Sequence, residues 1–153
     1  MKQYVDVRKV KVIAPHFKQR LSGVTSTVKQ LIPKQVELGE DIAILGFGLP
    51  KNLPHIKLMA LKHLWSKPEG GDTRVWHARR NIEMLPGIIL RDLLRMKLKL
   101  VFTSAAQRDH SKYTKYLIAK MDHVIATSSK SAHYLKVPHD VVLHGIDTNR
   151  FQP

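Results

Sequence analysis

The stretch Val10-Lys11-Val12-Ile13-Ala14-Pro15-His16-Phe17 decides the fold class, because it is a short apolar run with β-branched residues between polar segments. Such a run is typical of a strand that is buried on both faces of a sheet. The sequence after it predicts a loop through Gly23 and then a helix over 25–38, which Gly39 ends. The predicted apolar side of this helix consists of Val28, Leu31, Ile32 and Val36.

The same alternation of apolar strand and helix recurs along the chain. Further strands are predicted over 41–47, 73–77, 98–103, 124–127 and 141–143, and helices over 81–95, 110–121 and 129–135. Segment 56–64 fits either a strand or a helix, and Tyr113, Tyr116, Leu117 and Ile118 are expected to face inward from helix 110–121. This order predicts an α/β domain, Rossmann-like, with a mostly parallel sheet and helices on both faces.

Composition restricts the class of function. The 153 residues fit one domain, and the absence of cysteine excludes disulfides, thiolate metal sites and cysteine nucleophiles. The absence of cysteine also favours a reducing, cytoplasmic location, and no apolar run approaches the roughly 20 residues of a membrane span. The 26 Lys and Arg against 12 Asp and Glu give a formal charge of +14, which favours nucleic acid, an anionic membrane or a phosphorylated substrate as partner. Solubility is the alternative explanation of the charge.

Polar side chains concentrate at the end of the predicted strand 73–77, where ligands of parallel sheets bind. His77 is a candidate catalytic group there, and Arg79 and Arg80 carry guanidinium forks that suit phosphate or carboxylate. The alternatives are a structural histidine and solvated arginines. Asn81 is expected to cap the helix that follows.

Three further strand ends carry candidate binding groups. The loop Ser22-Gly23-Val24-Thr25 fits either close backbone approach to an anion or an ordinary tight turn. Ser104 and Thr127 bring hydroxyl groups to the same edge, where turn chemistry is their alternative role. Neither serine-nucleophile motifs nor histidine spacings for metal occur, so no metal is predicted.

The basic stretch Arg91–Lys99 mixes cations with apolar residues. This pattern is compatible with contact to an anionic lipid surface. The alternative is a helix end whose cations complement the helix dipole before a buried strand begins.

The last residues, Val141–Pro153 (VVLHGIDTNRFQP), resemble the segment that closes the N-terminal domain of family 4 glycosyltransferases, where a His-Gly-Ile-Asp turn precedes Phe-x-Pro. Four stretches are similar to lipopolysaccharide core mannosyltransferases: Ser22–Thr27, Val75–Asn81, Phe102–Arg108 and, within this last segment, His144–Thr148. The combination covers nearly the whole chain.

The resemblance implies a two-domain GT-B fold, of which residues 1–147 are the acceptor-side domain and 148–153 the start of the hinge. It implies retaining transfer of a hexose, mannose from GDP-mannose, to a lipid-linked core oligosaccharide, without metal. A C-terminal nucleotide-sugar domain would lie outside this chain, which by itself is expected to be inactive. Peripheral association with the inner membrane is expected.

The resemblance also assigns roles to residues. It places Gly23 and Val24 near the donor and His77 beside the transferred sugar. Arg20, Arg79 and Arg80 are expected to hold an anionic acceptor, and the remaining strand-end candidates are Ser104, Thr127 and Gly145.

Two alternatives remain at this point. The chain could be a non-catalytic module that binds nucleic acid or anionic lipid, with Trp65, Tyr113 and Tyr116 as stacking groups. It could also be one subunit of a split transferase, in which case activity would require a second chain. Nucleic acid is the less favoured partner.

Overall fold

A computed structural model of the protein describes residues 3–17 and 23–142, with the side chains of 23 and 24 left aside. The strands are β1 (Gln3–Tyr4), β2 (Val12–His16), β3 (Ile42–Gly46), β4 (Pro54–His55), β5 (Arg74–Ala78), β6 (Leu98–Ser104), β7 (His123–Ala126) and β8 (Asp140–Val141). The α-helices are α1 (Gly23–Glu37), α2 (Asn81–Ile88), α3 (Lys112–Ala119) and α4 (Ser129–His133). Short 3₁₀ helices lie at Val7–Lys9 and Leu58–Trp65, and a π-helical turn, Ile89–Leu93, continues α2.

All paired strands run parallel in one sheet, in the order β1-β4-β3-β2-β5-β6-β7-β8. The central strand β2 lies between β3 and β5, so the chain winds outward in one direction through β3 and β4 and in the other from β5 to β8. This reversal of direction makes the carboxyl ends of β2 and β5 the topological switch point, where such sheets usually bind ligands in a crevice.

The core has two layers, one on each face of the sheet. Neighbouring residues of β2 point to opposite faces, so Ile13 belongs to one buried cluster and Ala14 to the other. Helix α1 covers the Ala14 face through Val28 and Ile32. Helices α2 and α3 cover the Ile13 face through the buried side chains of Met84, Leu117 and Ile118. The predicted Rossmann-like α/β fold with helices on both faces is therefore confirmed.

The prediction that Tyr113 and Tyr116 face inward is wrong, and two residues of the predicted apolar side of α1 lie outside the core. Leu31 and Val36 of α1 and Tyr113 and Tyr116 of α3 are exposed. In α3 the buried side runs through Leu117, Ile118 and the partly buried Met121, and both tyrosines lie beside it. In both helices, fewer side chains pack into the core than the apolar pattern predicted.

Three segments adopt conformations that the sequence pattern left open or predicted only in part. Segment 56–64 is mainly 3₁₀ helix, Leu58–Trp65, and Gly39 ends α1 with the predicted positive φ of 86°. Helix α1 continues through Pro33. The predicted helix 81–95 is α2 followed by the π-helical turn, which leads into Arg95 at φ 55°.

Arg74 is a buried cation that binds backbone carbonyls instead of a carboxylate. Its Nε donates to Val10 O at 3.0 Å, one Nη to Ser66 O at 2.6 Å, and the other to Val7 O at 3.2 Å. Burial lowers the pKa of this guanidinium. The contacts fix the N-terminal 3₁₀ turn and the segment after Leu58–Trp65 against β5.

The packing of α2 on the sheet depends on a glycine. A Cβ at Gly87 would lie 2.6 Å from Trp76 Cδ1, whose ring is itself fixed by the hydrogen bond from Nε1 to Glu83 O at 2.8 Å. We predict that Gly87→Ala lowers the free energy of unfolding by about 1–3 kcal/mol, because the buried ring or the helix must shift. Gly71→Ala is the matched control, since its Cβ meets ordinary contacts at 3.4 Å and beyond. Urea unfolding checks the difference, and equal stabilities would contradict it.

Candidate functional site

Two histidines flank the crevice between β2 and β5. His16 is the last residue of β2 and is buried, whereas His77 precedes the last residue of β5 and is half-buried. The loop Arg79–Arg80 then leads into α2. The sheet therefore brings two imidazoles and two guanidinium groups to the edge predicted to bind a ligand.

His16 is held in one tautomer by its partners. Its Nδ1 lies 2.7 Å from Phe47 O, a group that only accepts, so Nδ1 carries the proton. Burial, and after it the positive charge of Arg80, lowers the pKa of the ring, so Nε2 is unprotonated and accepts from the Thr25 hydroxyl at 3.1 Å. Phe47 N in turn donates to His16 O at 3.0 Å. Two hydrogen bonds between His16 and Phe47 thus hold the end of β2 against the residue that follows β3.

Thr25 continues this hydrogen-bond chain to Arg80. Because the Thr25 hydroxyl donates to His16, its oxygen accepts from Arg80 Nη2 at 3.3 Å. Thr25 is fully buried in the first turns of α1. These hydrogen bonds therefore connect β2, α1 and the loop before α2.

Glu83 is the last member of this series of hydrogen bonds. One carboxylate oxygen accepts from Arg79 N at 2.9 Å and the other from Arg80 Nη1 at 3.1 Å. The side chain of Glu83 is 1% exposed and that of Arg80 10%. Burial raises the pKa of the carboxyl, and the hydrogen bond from Arg79 N together with the Arg80 charge opposes that rise. The Glu83 carboxylate thus fixes the backbone of Arg79 and the guanidinium of Arg80 at the crevice.

Arg79 differs from Arg80 in that no carboxylate of the described residues forms an ion pair with it. The described residues place no hydrogen-bond acceptor or carboxylate on its guanidinium, which is half-buried. Burial lowers the pKa of the guanidinium, and the nearby Glu83 charge opposes that effect. The crevice therefore holds a cation that an incoming anion could neutralise.

His77 is a neutral imidazole at this edge. Its Nε2 lies 2.6 Å from Thr103 Oγ1 on the neighbouring strand β6. Burial, followed by the charge of Arg79, lowers the pKa of the ring to about 3. At neutral pH His77 can therefore act only as a hydrogen-bonding group.

Ser104 and Thr127 meet each other on the far side of His77. Thr127 N donates to Ser104 O at 3.1 Å, and Ser104 Oγ lies 3.3 Å from His110 Nε2. Among the described contacts, no hydrogen bond joins this pair to His77. The two hydroxyls thus form a separate cluster at the carboxyl ends of β6 and β7.

The other predicted site residues divide into two groups. Gly23 and Val24 begin α1, whose first turn faces the crevice edge of the sheet through Thr25. Arg20 and Gly145 lie outside the described residues, as does the predicted hinge 148–153. The prediction that Asn81 caps α2 is wrong, because Arg80 is the N-cap and Glu83 instead reaches back to the preceding backbone.

Sequence reasoning did not single out His16, Thr25 or Glu83. The signal for Glu83 was available, since an acidic residue at the third helical position often accepts a backbone N–H before the helix. His16 and Thr25 carried no such signal. Their pairing depends on how α1 returns beside β2.

The described residues contain neither a group of metal ligands nor a membrane-spanning helix. Across 3–17 and 23–142 there is no cluster of three or more His, Cys, Asp or Glu that could bind a metal ion. The helices in this part of the chain are too short or too polar to cross a bilayer.

The Thr25 hydroxyl can be tested directly. We predict that Thr25→Val destabilises the fold by about 1–3 kcal/mol, because a shape-conserving change leaves His16 Nε2 and Arg80 without their shared partner. Thr25→Ser keeps the hydroxyl and should lose much less. Urea unfolding of both variants at pH 7.5 measures this, and equal losses would show that the methyl packing matters instead.

His77 should make stability depend on pH. Its folded pKa of about 3 lies below the unfolded value of 6.5, so between these limits the unfolded chain binds a proton that the folded chain does not. Stability should fall as the pH is lowered through this window, by at most about 1.4 kcal/mol per unit from this residue. Comparing His77→Gln with the unmodified chain at pH 7.5 and 5.0 checks it. A variant with an unchanged slope contradicts the assignment.

Comparison with known proteins gives two close relatives. The chain is 66% identical over 149 residues to the lipopolysaccharide core biosynthesis mannosyltransferase LpsB of Rhizobium meliloti (strain 1021), and 60% identical over 148 residues to the corresponding enzyme LpcC of Rhizobium leguminosarum bv. viciae. Each match covers 97% of this chain and 42% of the relative. No protein-family model matches the chain. The resemblance found in the motifs is confirmed: the chain is homologous to the N-terminal part of lipopolysaccharide core biosynthesis mannosyltransferases.

Proposed function

We propose that the protein supplies the acceptor side of a retaining hexosyltransferase that adds mannose, from GDP-mannose or a similar nucleotide sugar, to the lipopolysaccharide core. Homology to two core mannosyltransferases supports the reaction class, and the parallel sheet with a crevice at its switch point supports a GT-B domain. Because the chain spans 42% of its relatives' length, most of the nucleotide site is expected on the remainder.

The uncompensated guanidinium of Arg79 is the observation that carries this proposal. A half-buried cation that no carboxylate of the described residues pairs with favours an anionic ligand, and the fork of an arginine suits phosphate or carboxylate. The inner core of lipopolysaccharide offers both groups. Arg80 acts differently, because Glu83 and Thr25 already engage its guanidinium and make it a support for the loop.

His77 has a hydrogen-bonding role in the proposal. With a pKa of about 3 it is uncharged at neutral pH, so it cannot donate a proton as an acid. When Nε2 accepts the Thr103 hydroxyl proton, Nδ1–H is available to donate to a sugar oxygen. A fixed donor of this kind stabilises charge that develops during transfer.

Gly23 and Val24 are proposed to face the donor, because they open the 15-residue helix α1. Backbone N–H groups and the helix dipole favour an anion such as a diphosphate at this end. We name no catalytic base. Glu83, the carboxylate beside the arginines, is committed to Arg79 N and Arg80 through both its oxygens.

The lipid-linked acceptor implies a location. We propose that the protein works in the cytoplasm at the inner membrane, as a peripheral enzyme. The formal charge of +14 supports this, since anionic phospholipids attract basic proteins.

A chimera tests the proposed function. Residues of this chain would replace the matching N-terminal part of the Rhizobium meliloti relative, and mannosyl transfer to core acceptor would be measured. We expect activity, a rise in acceptor KM of about 10-fold for Arg79→Gln, and a loss of kcat/KM on the order of 100-fold for His77→Ala.

The control is Arg8→Gln, which removes an exposed arginine at the N-terminal 3₁₀ turn and should leave transfer unchanged. Thermal unfolding of each variant separates loss of function from loss of fold. A folded chimera without transfer would reject the proposal, and normal kinetics in His77→Ala would remove His77 from the site.

A further inference from the structure

An exposed apolar strip runs along α2 and the π-helical turn. Ile82, Leu85, Ile89 and Leu93 are spaced three or four residues apart and are all exposed, Leu93 to 74%. Their spacing places them along one side of the helix. The core-facing side is formed by other residues, including the buried Met84, so the strip is apolar surface that the described residues leave partly exposed.

Aromatic residues are exposed on segments that pack next to α2 and the π-helical turn. Trp65 Nε1 donates to Leu94 O at 2.6 Å, which holds the exposed indole beside Leu94. Helix α3 packs next to α2 and presents Tyr113 and Tyr116. We refer to these exposed side chains of α2 and its neighbouring segments together as the α2 strip: Trp65, Ile82, Leu85, Ile89, Leu93, Leu94, Tyr113 and Tyr116.

The two helices that carry the strip are fixed together at one end. Arg91 Nη1 donates to Asp122 at 2.8 Å, and Nη2 donates to Lys120 O at 2.8 Å. Arg91 also pairs with Asp92 at 2.7 Å. These contacts neutralise both carboxylates and hold the end of the π-helical turn against the end of α3.

The charges around the strip favour an anionic partner. Arg95, Lys97 and Lys112 are exposed, and no carboxylate of the described residues pairs with them. The neighbouring acids are already engaged: Asp92 and Asp122 by Arg91, Asp109 by Lys115. The surface therefore combines exposed apolar groups with uncompensated positive charge.

We propose that the α2 strip docks the protein on an anionic lipid bilayer. Leucine and isoleucine side chains would enter the acyl boundary, the tryptophan and tyrosines would lie at headgroup depth, and the cations would meet lipid phosphates. A second copy of this chain fits less well, because a symmetric contact would bring the same unpaired cations together.

Docking in this way sets the orientation of the crevice. Ile82 is the third residue after Arg79, so the strip begins at the rim that carries the uncompensated guanidinium. A lipid-linked acceptor would reach Arg79 from the same membrane. This consequence rests on the proposed function, whereas bilayer binding itself needs neither donor nor turnover.

Vesicle co-sedimentation tests the inference. The chain is mixed with vesicles of phosphatidylcholine alone or with 30% phosphatidylglycerol, at two salt concentrations. We expect binding to the anionic vesicles only, weakened by salt. Leu85→Ser with Leu93→Ser should reduce the partition constant at least 10-fold, and Lys97→Gln with Lys112→Gln roughly 5-fold per charge.

Matched controls lie on the opposite side of the sheet. Leu38, 81% exposed after α1, provides Leu38→Ser, and the exposed Lys29 and Lys51 provide the charge control. Far-ultraviolet circular dichroism and unfolding midpoints confirm that each variant is folded. Controls that bind like the unmodified chain support the α2 strip.

Four results would overturn the inference. They are equal binding to neutral and anionic vesicles, equal losses in the strip and control variants, a dimer in sedimentation velocity that Leu93→Ser abolishes, and binding of a single-stranded oligonucleotide that competes away the vesicles. Mannosyl transfer by the chimera to a detergent-dispersed acceptor should survive Leu93→Ser. Loss of bilayer binding and failure of the proposed reaction are therefore distinguishable.

Discussion

The arrangement of the crevice depends on one buried carboxylate, that of Glu83. It receives Arg79 N and the Arg80 guanidinium, and through Arg80 it reaches Thr25 and His16. Removing one member of such a buried pair leaves an uncompensated charge, which typically costs about 3–5 kcal/mol. The network thus specifies how α1 and α2 meet the sheet. Because both oxygens of Glu83 are engaged in this way, no carboxylate among the described residues pairs with the Arg79 guanidinium.

Most of the fold could be predicted from local pattern, while the site network could not. The stretch Val10–Phe17 identified the central strand because burial on both faces requires an uninterrupted apolar run. By contrast, Arg80 contacts Thr25 across 55 residues, and no local rule predicts which side chains meet after two crossover connections. His77 was found because strand ends concentrate chemistry. His16 was missed because it lay inside the strand pattern.

The wrong core assignments have a common physical cause. Apolar periodicity reports which side of a helix avoids water, and it does not distinguish the protein core from another apolar partner. Tyr113 and Tyr116 follow the helical spacing of α3 but lie beside the side that packs on the sheet. The same ambiguity hid the strip on α2, whose predicted helix was apolar on more sides than one neighbour could cover.

In helix α2, the contacts of the inner side determine the direction in which the outer, apolar side faces. Its first turn holds Glu83 inward, which fixes the loop Arg79–Arg80 at the crevice, and Gly87 lets it approach Trp76 closely. Because these contacts fix the rotation of α2 about its own axis, they also determine which residues face outward. Ile82 and Leu85 therefore point away from the core. Burial of a single carboxylate thus determines both the position of the unpaired guanidinium and the direction in which the apolar strip faces. The two features therefore lie on one rigid element and keep a fixed orientation to each other.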